Sequence, residues 1–296
     1  MTGGAGFIGS HLVDALRGDG WAVLVVDDLS TGRADRLPPD TRLEVRDIAT
    51  DDLTSIVREW RPRALFHLAA QSSVPASEED PLRDLAVNVV GTIRVAEAAA
   101  AAAAERFVFA SSGGAVYGET GRAATERTVP APASAYGIHK LAAEGHVRRS
   151  GLSHAIVRPS NVYGPGQAAG LEGAVVASFF DQAAAGGPLR IHGDGRQVRD
   201  FIHVADAVAA MRLVAGSGQD SGAWNVSTGR GVAIAELADA VEAAVGRSVG
   251  RSSAPRRSGD VSRSVISSAR LRRLGWRPAI TLERGLRELA GAPAAG

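Results

Sequence analysis

Apolar residues in the first half of the chain gather in short blocks, and the segments between them carry helical spacing. Trp21–Val26, Leu43–Ile48, Ala64–Ala70, Arg106–Ala110 and His154–Arg158 read as brief buried strands. Helices are expected behind Leu12, Val13 and Leu16, at about 51–60, and from about 82 to 104, a stretch that contains Asn88 and ends in the alanine run Ala98–Ala104. Repeated strand–helix alternation predicts an α/β fold, a doubly wound parallel sheet with helices on both faces. Beyond about residue 164 glycine and proline become frequent and strands shorten; Ala223–Ser227 reads as a strand and 232–246 as a helix. The expected organisation is a first domain over 1–164 and a smaller α/β lobe over 165–296, interleaved with the first. Gly291–Gly296 reads as a frayed end.

Composition narrows the function classes. The 296 residues can hold one large α/β unit or two domains, and 45% hydrophobic with 22% charged content is ordinary for a globular protein. A net charge of +1 offers no electrostatic footprint for nucleic acid or an anionic membrane. Cysteine is absent, which removes disulfides, thiolate metal sites and cysteine nucleophiles and fits a cytoplasmic protein; no metal is expected. No apolar run approaches a membrane span, and the glycine-rich start lacks the basic region of a signal peptide.

Gly3, Gly6 and Gly9 form G-x-x-G-x-x-G ahead of the first helix. Glycines let a backbone approach a pyrophosphate, and a helix N-terminus supplies free N–H groups and a positive dipole end. Asp27 closes the next strand, 18 residues after Gly9, where a ribose diol would be held; a carboxylate there repels a 2′-phosphate and favours NAD over NADP. Asp47 and Ile48, at a later strand end, could flank an adenine or serve as a cap and core. His67, inside an apolar strand, is expected to be a core histidine. Only Met1 and Thr2 precede the glycines, so the first strand looks truncated, and strand residues are expected upstream.

The strongest chemical signal lies between Ser111 and Lys140. Of 33 basic residues Lys140 is the sole lysine, and Tyr136 precedes it by four positions. On a helix the two share a face. A free tyrosine titrates near 10 and is a poor base, but an ammonium beside it favours the phenolate. Lysine also offers rotatable donors suited to a ribose hydroxyl. Arg199 follows a Gly-Asp-Gly turn and Arg257 precedes Ser-Gly-Asp, and two arginines on separate loops could clamp a diphosphate.

These motifs resemble the extended short-chain dehydrogenase/reductases, specifically the NAD-dependent epimerase/dehydratase family, and most the UDP-glucose 4-epimerases. The carriers are T-G-G-A-G-F-I-G-S-H-L, V-V-D-D-L-S-T-G, F-H-L-A-A-Q, S-S-G-G-A-V-Y-G, Y-G-I-H-K, R-P-S-N-V-Y-G-P-G, H-G-D-G-R-Q-V-R-D-F-I-H-V, R-R-S-G-D-V and L-G-W-R-P, in the family's order from position 2 to about 278. The resemblance implies a Rossmann-type first domain and a nucleotide-sugar-binding lobe. Gly3, Gly6, Phe7, Ile8 and Gly9 would hold the NAD pyrophosphate, Asp27 the adenosine ribose, Asp47 and Ile48 the adenine, and Ala69 would line the cleft. Tyr136 would be the acid/base and Lys140 the nicotinamide-ribose ligand. Asn161, Arg199, Arg257 and Asp260 would bind the UDP moiety.

The implied reaction is epimerisation at C4 of a UDP-hexose through a transient 4-keto sugar that turns over in the site. Two departures stand out. The family's assisting Ser/Thr hydroxyl, three residues before the Val of V-Y-G, falls on Gly113, which leaves Ser112 as the candidate substitute and Ser111 behind it. An Asp or Asn common after R-x-G-D is replaced by Ser267, a position read as structural. The Asp-Glu pair of the 4,6-dehydratases is replaced by Gly114 and Ala115, which ranks that reaction low. A uronate epimerase, decarboxylase, 4-ketoreductase or catalytically silent NAD-binding scaffold are the alternatives. Ser264 falls where a bulky residue can narrow the sugar pocket, so a UDP-GlcNAc substrate is also compatible. A homodimer through the helices near 82–104 and 137–149 is implied by the family.

Overall fold

The structure is a computed structural model describing residues 1–169, 174–216, 218, 221–256 and 260–291. The first half of the chain runs α1 (Phe7–Gly18), β1 (Leu24–Asp27), β2 (Arg42–Val45), α2 (Thr54–Trp60), β3 (Ala64–His67), α3 (Val74–Glu79), α4 (Pro81–Leu85), α5 (Thr92–Ala101), β4 (Arg106–Ala110), α6 (Gly113–Val116), α7 (Ala135–Arg149) and β5 (His154–Pro159). The second runs β6 (Asn161–Tyr163), α8 (Val175–Ala184), β7 (Leu189–His192), β8 (Val198–His203), α9 (Val204–Gly216), β9 (Gly222–Val226), β10 (Gly231–Ala233), α10 (Ile234–Val245), β11 (Arg251–Ala254), β12 (Arg263–Ser264), α11 (Ala269–Arg272) and α12 (Leu282–Gly291). No described helix is long and apolar enough to cross a membrane.

The chain divides into two compact units. Unit 1 comprises 1–112, 134–158 and 208–224; unit 2 comprises 113–133, 159–207 and 225–296. The crossing nearest the expected boundary at 164 therefore falls at Arg158–Pro159. The strand expected over 223–227 is β9, the edge of the first sheet, with its residues up to Trp224 in unit 1 and those from Asn225 in unit 2, and residues 113–133 fall in unit 2.

Unit 1 is built on parallel pairs β1·β2, β3·β4 and β4·β5, with β9 beside β5. Thr2 joins the halves by bridging Val26 on one side and His67 on the other. Thr2 N donates to Phe66 O at 2.9 Å and Leu68 N to Thr2 O at 3.0 Å; Val26 N donates to Met1 O at 2.8 Å and Gly3 N to Val26 O at 2.9 Å. Two residues thus fill the central strand position. The glycine loop follows at the point where strand order reverses, which is where doubly wound sheets bind ligands.

Helices cover this sheet through Val57, Val95, Ala96, Ala99, Ala143 and Val147, packed with Phe107, Phe109 and Ile156. The helix expected over 82–104 is not continuous. It splits into α4, a π-helical turn over Ala86–Gly91, and α5. The alanine run stops helical winding early: Ala103 takes a left-handed conformation (φ 52°) and Ala104 N donates to Ala99 O, so that Ala104 is buried ahead of β4. Trp21, expected in the second strand, lies outside β1 and is exposed, with the Arg63 guanidinium over its ring.

Unit 2 centres on β8, which pairs antiparallel with β10 and parallel with β6 and β12; β7 and β11 form a separate parallel pair. Its core joins Phe179, Leu189, Phe201, Leu237, Val241 and Leu286.

Candidate active site

In unit 1, Gly3 and Gly9 are fixed by chain packing. Gly3 has φ +71°, and a side chain there would meet the Ala69 backbone at 2.4 Å; one at Gly9 would meet Gly3 O at 2.0 Å. Gly6 differs: its nearest neighbour would be Gly3 O at 3.4 Å, so nothing in the chain forbids a side chain. Gly6 is the N-cap of α1 and offers no side-chain cap. The first-turn N–H groups of Phe7, Ile8 and Gly9 therefore have no helical acceptor. An open cradle over uncapped donors fits a bound pyrophosphate.

Asp27 ends β1 beside this loop. Its carboxylate accepts from Ala5 N at 2.9 Å and Leu29 N at 3.0 Å. Burial pushes its pKa up despite these bonds. Each oxygen keeps a lone pair that a ribose hydroxyl could use. Asp47 is half-buried and accepts from Ala49 N at 2.8 Å. Ile48 is buried against Gly91, where a side chain would meet its Cδ1 at 2.8 Å. Ala69 packs on Gly3.

Tyr136 and Lys140 lie on α7, whose buried face runs Tyr136, Gly137, Lys140, Ala143, Glu144 and Val147. A face carrying a phenol, an ammonium and a carboxylate must be held by polar partners. Ala135 N donates to Glu78 Oε1 at 2.8 Å, Tyr136 N to Ser77 Oγ at 3.1 Å and Gly137 N to Ser134 Oγ at 3.2 Å, so the first turn of α7 is fully capped. Glu144 takes a buried pair from Arg158, with Nε 2.7 Å from Oε1, and accepts from Ser111 Oγ at 2.7 Å. Burial raises the Glu144 pKa, but the bonds and charge of Arg158, with the Ser111 bond, outweigh it and leave the group below its ordinary value. This network commits the Ser111 hydroxyl to Glu144. Ser112, buried, is the next hydroxyl in the strand-end turn, immediately before Gly113.

Lys140 Nζ lies 4.5 Å from the Phe109 ring centroid, a cation–π contact in a buried setting. Phe109 stacks on His67 at 5.5 Å. His67 is fully buried between Thr2 Oγ1 (2.7 Å from Nδ1) and Thr92 Oγ1 (2.9 Å from Nε2). Thr92 donates to Asn88 O at 2.7 Å, so Nε2 of His67 carries the proton and Nδ1 accepts from Thr2. Burial, then the Lys140 charge, depresses His67 to about 3, so it stays neutral, as a core histidine would.

Sequence reasoning passed over Asn88 except as part of a helix. It is buried in the π-turn, and such turns recur at functional sites. Its Nδ2 donates to Gln71 O at 2.9 Å and Asp84 Oδ1 at 3.0 Å, while Oδ1 has no partner among the described residues. An oriented, unpaired acceptor fits a donor from a bound cofactor. The N-V-V-G-T run was the available signal, but helical periodicity does not reveal a π-turn.

Unit 2 holds the other predicted residues. Arg199, on β8, pairs with the Asp260 carboxylate and donates to Val261 O at 2.7 Å and Val198 O at 2.9 Å. Asn161 Nδ2 donates to Asp200 O at 3.1 Å, beside Arg199 in the chain. Ser264 is the strand partner of Arg199 and donates to Gly114 O at 3.3 Å. Glu119 clamps this strand by accepting from Ser262 N at 2.6 Å and Arg263 N at 2.8 Å. Arg199, Asp260 and Ser264 are therefore brought together; Arg257 lies outside the described residues. Asp200, unremarked in the sequence, is fully buried and accepts from Thr228 N at 3.1 Å, Thr228 Oγ1 at 2.7 Å and Gly229 N at 2.9 Å. Burial lifts it to about 6 against those bonds. Ser267, where the resemblance led to expect an Asp or Asn, donates its N–H to Ala124 O at 2.8 Å.

The chain is 41% identical to UDP-glucose 4-epimerase of Mycolicibacterium smegmatis over 97% of its length and 95% of the relative's. The crystal structure of the Thermus thermophilus UDP-glucose 4-epimerase in complex with NAD superposes with a TM-score of 0.94 at 38% identity, covering 99% of this chain and 98% of that one. The Thermotoga maritima UDP-glucose 4-epimerase with UDP-glucose superposes at 0.92 with 37% identity, covering 98% and 96%. The profile of the NAD dependent epimerase/dehydratase family matches residues 1–227, more than three-quarters of the sequence. With its glycine loop at the sheet's switch point and its tyrosine and lysine on one buried helix face, this chain belongs to the NAD dependent epimerase/dehydratase family.

Proposed function

We propose that the protein interconverts UDP-glucose and UDP-galactose, as an NAD-dependent 4-epimerase. The observation that carries the reading is the capped first turn of α7, which fixes Tyr136 and the chain's sole lysine on one buried face. NAD, when bound, would supply a reversible hydride acceptor for C4. Tyr136 removes and restores the C4 hydroxyl proton. Lys140 holds the nicotinamide ribose and favours the phenolate through its charge. Ser112 supplies the hydroxyl that Gly113 cannot. Gly3, Gly6, Phe7, Ile8 and Gly9 hold the pyrophosphate, Asp27 the adenosine ribose, Asp47 and Ile48 the adenine, and Ala69 borders the dinucleotide. Asn161, Arg199, Arg257 and Asp260 hold the UDP group, which leaves the 4-keto sugar free to turn over.

The test is to incubate the purified protein with UDP-galactose and no added NAD. Appearance of UDP-glucose supports the reading; bound NAD with no conversion of any nucleotide sugar in a UDP- and dTDP-sugar panel sinks it. The latter result would favour a silent NAD-binding role, for which Gly113 is the supporting observation.

The proposed enzyme is a cytoplasmic homodimer. Leu82, Leu85, Val90 and Ile138 expose apolar side chains on α4, the π-turn and α7, which pack together within unit 1. Light scattering should give twice the chain mass, and Ile138→Glu should halve it.

A further inference from the structure

We infer that Asp84 is a positioning residue whose carboxylate sets the cofactor-facing groups of unit 1. Asp84 is fully buried on α4. Its Oδ1 accepts from Gln71 Nε2 at 2.6 Å and Asn88 Nδ2 at 3.0 Å, and its Oδ2 lies 2.6 Å from His139 Nδ1. These three partners sit on three elements. Gln71 is two residues beyond Ala69 in the loop after β3, Asn88 is in the π-turn, and His139 precedes Lys140 on α7.

The arrangement leaves little freedom. Asn88 Nδ2 spends both hydrogens, on Gln71 O and Asp84, so its Oδ1 must face the other way, and there it has no partner among the described residues. Gln71 is likewise fixed, donating to Ser73 O at 2.9 Å as well as to Asp84. His139, nearly buried, gives α7 a charge-assisted tie one residue from Lys140 and three from Tyr136. Removing the Asp84 carboxylate would free the Asn88 amide to flip and release α7 from the π-turn at once. The inference rests on the NAD-dependent reading of this site, but it concerns binding geometry rather than turnover.

The experiment compares Asp84→Ala and Asp84→Asn with wild type. NAD affinity of the NAD-depleted protein is read by titration calorimetry, UDP affinity serves as the control, and circular dichroism checks the fold. An asparagine can keep its oxygen toward Gln71 and Asn88 and turn its amide to the other tautomer of His139, so it preserves the geometry without the charge. Asp84→Ala should weaken NAD binding about tenfold or more, with UDP affinity unchanged and Asp84→Asn within about threefold of wild type. A folded Asp84→Ala protein within threefold of wild type for NAD, or one losing NAD and UDP affinity equally, overturns the inference. Should Asp84→Ala not fold, His139→Ala decides. A loss of NAD affinity beyond threefold that His139→Gln restores supports the inference, and any smaller or unrestored loss overturns it. If wild type binds NAD but turns over no nucleotide sugar, the functional reading fails and these binding results still decide the role of Asp84.

Discussion

The two units prepare their ligand groups in opposite ways. In unit 1 the helix that carries Tyr136 and Lys140 is held by other groups: Ser77, Glu78 and Ser134 cap α7, and Glu144 with Arg158 anchors its middle. In unit 2 the expected nucleotide ligands satisfy one another, Arg199 pairing with Asp260 and also binding two backbone carbonyls. A ligand taken up by Arg199 or Asp260 would therefore exchange existing bonds, whereas α7 in unit 1 is already held in place. Preorganisation of the first kind favours rate, and exchange of the second kind moderates affinity.

Four measurements test the contrast, from the largest expected effect to the smallest. Tyr136→Phe should lower kcat by about 10²–10⁴-fold while NAD still co-purifies, because the capping bonds run to backbone; loss of NAD would break the claim that α7 is set independently of the phenol. Lys140→Arg should cost about tenfold or more in kcat, since a planar guanidinium cannot repeat the three rotatable donors that an ammonium offers a ribose hydroxyl, and wild-type turnover would contradict it. Asp260→Asn should change the UDP-sugar KM by about three- to tenfold with kcat nearly intact; an equal fall in both would mean that unit 2 is as preset as unit 1.

The last measurement is pH dependence. His67 in unit 1 is depressed to about 3 by burial and the Lys140 charge, so its contribution is full above the ordinary histidine value near 6.5 and is lost as pH falls toward 3. His154, lowered chiefly by burial, acts in the same direction. Asp200 in unit 2 is raised to about 6, so its site gains stability as pH falls through 6 toward 4. Hydrogen exchange at pH 7 and pH 5 should show β3 and β4 losing protection while amides around Thr228 gain it. A parallel change in both would refute the opposition.

Much of unit 1 was legible in the sequence because its signals are local. Strand blocks, the glycine spacing and the four-residue step from Tyr136 to Lys140 each depend on near neighbours, and the sheet and α7 follow them. What stayed hidden depends on distant contacts. The π-turn at Asn88, the π-turn's tie to Gln71, and the Glu144–Arg158 pair join residues that helical periodicity does not link. Propensity held through Ala101 and misled at Ala102–Ala104, where burial of Ala104 overrides the best helix former. Interleaving of the two units was expected, but which segments cross was beyond a linear reading, since residues 113–133 and the start of β9 are assigned by packing, not composition.

Glu119 carries a consequence for engineering. Because its carboxylate grips the backbone at Ser262 and Arg263, the V-Y-G loop and the strand bearing Ser264 form one cassette. A graft that imports either piece from a relative without the other would separate the Glu119 carboxylate from the two amides that donate to it, so the two pieces should be transplanted together.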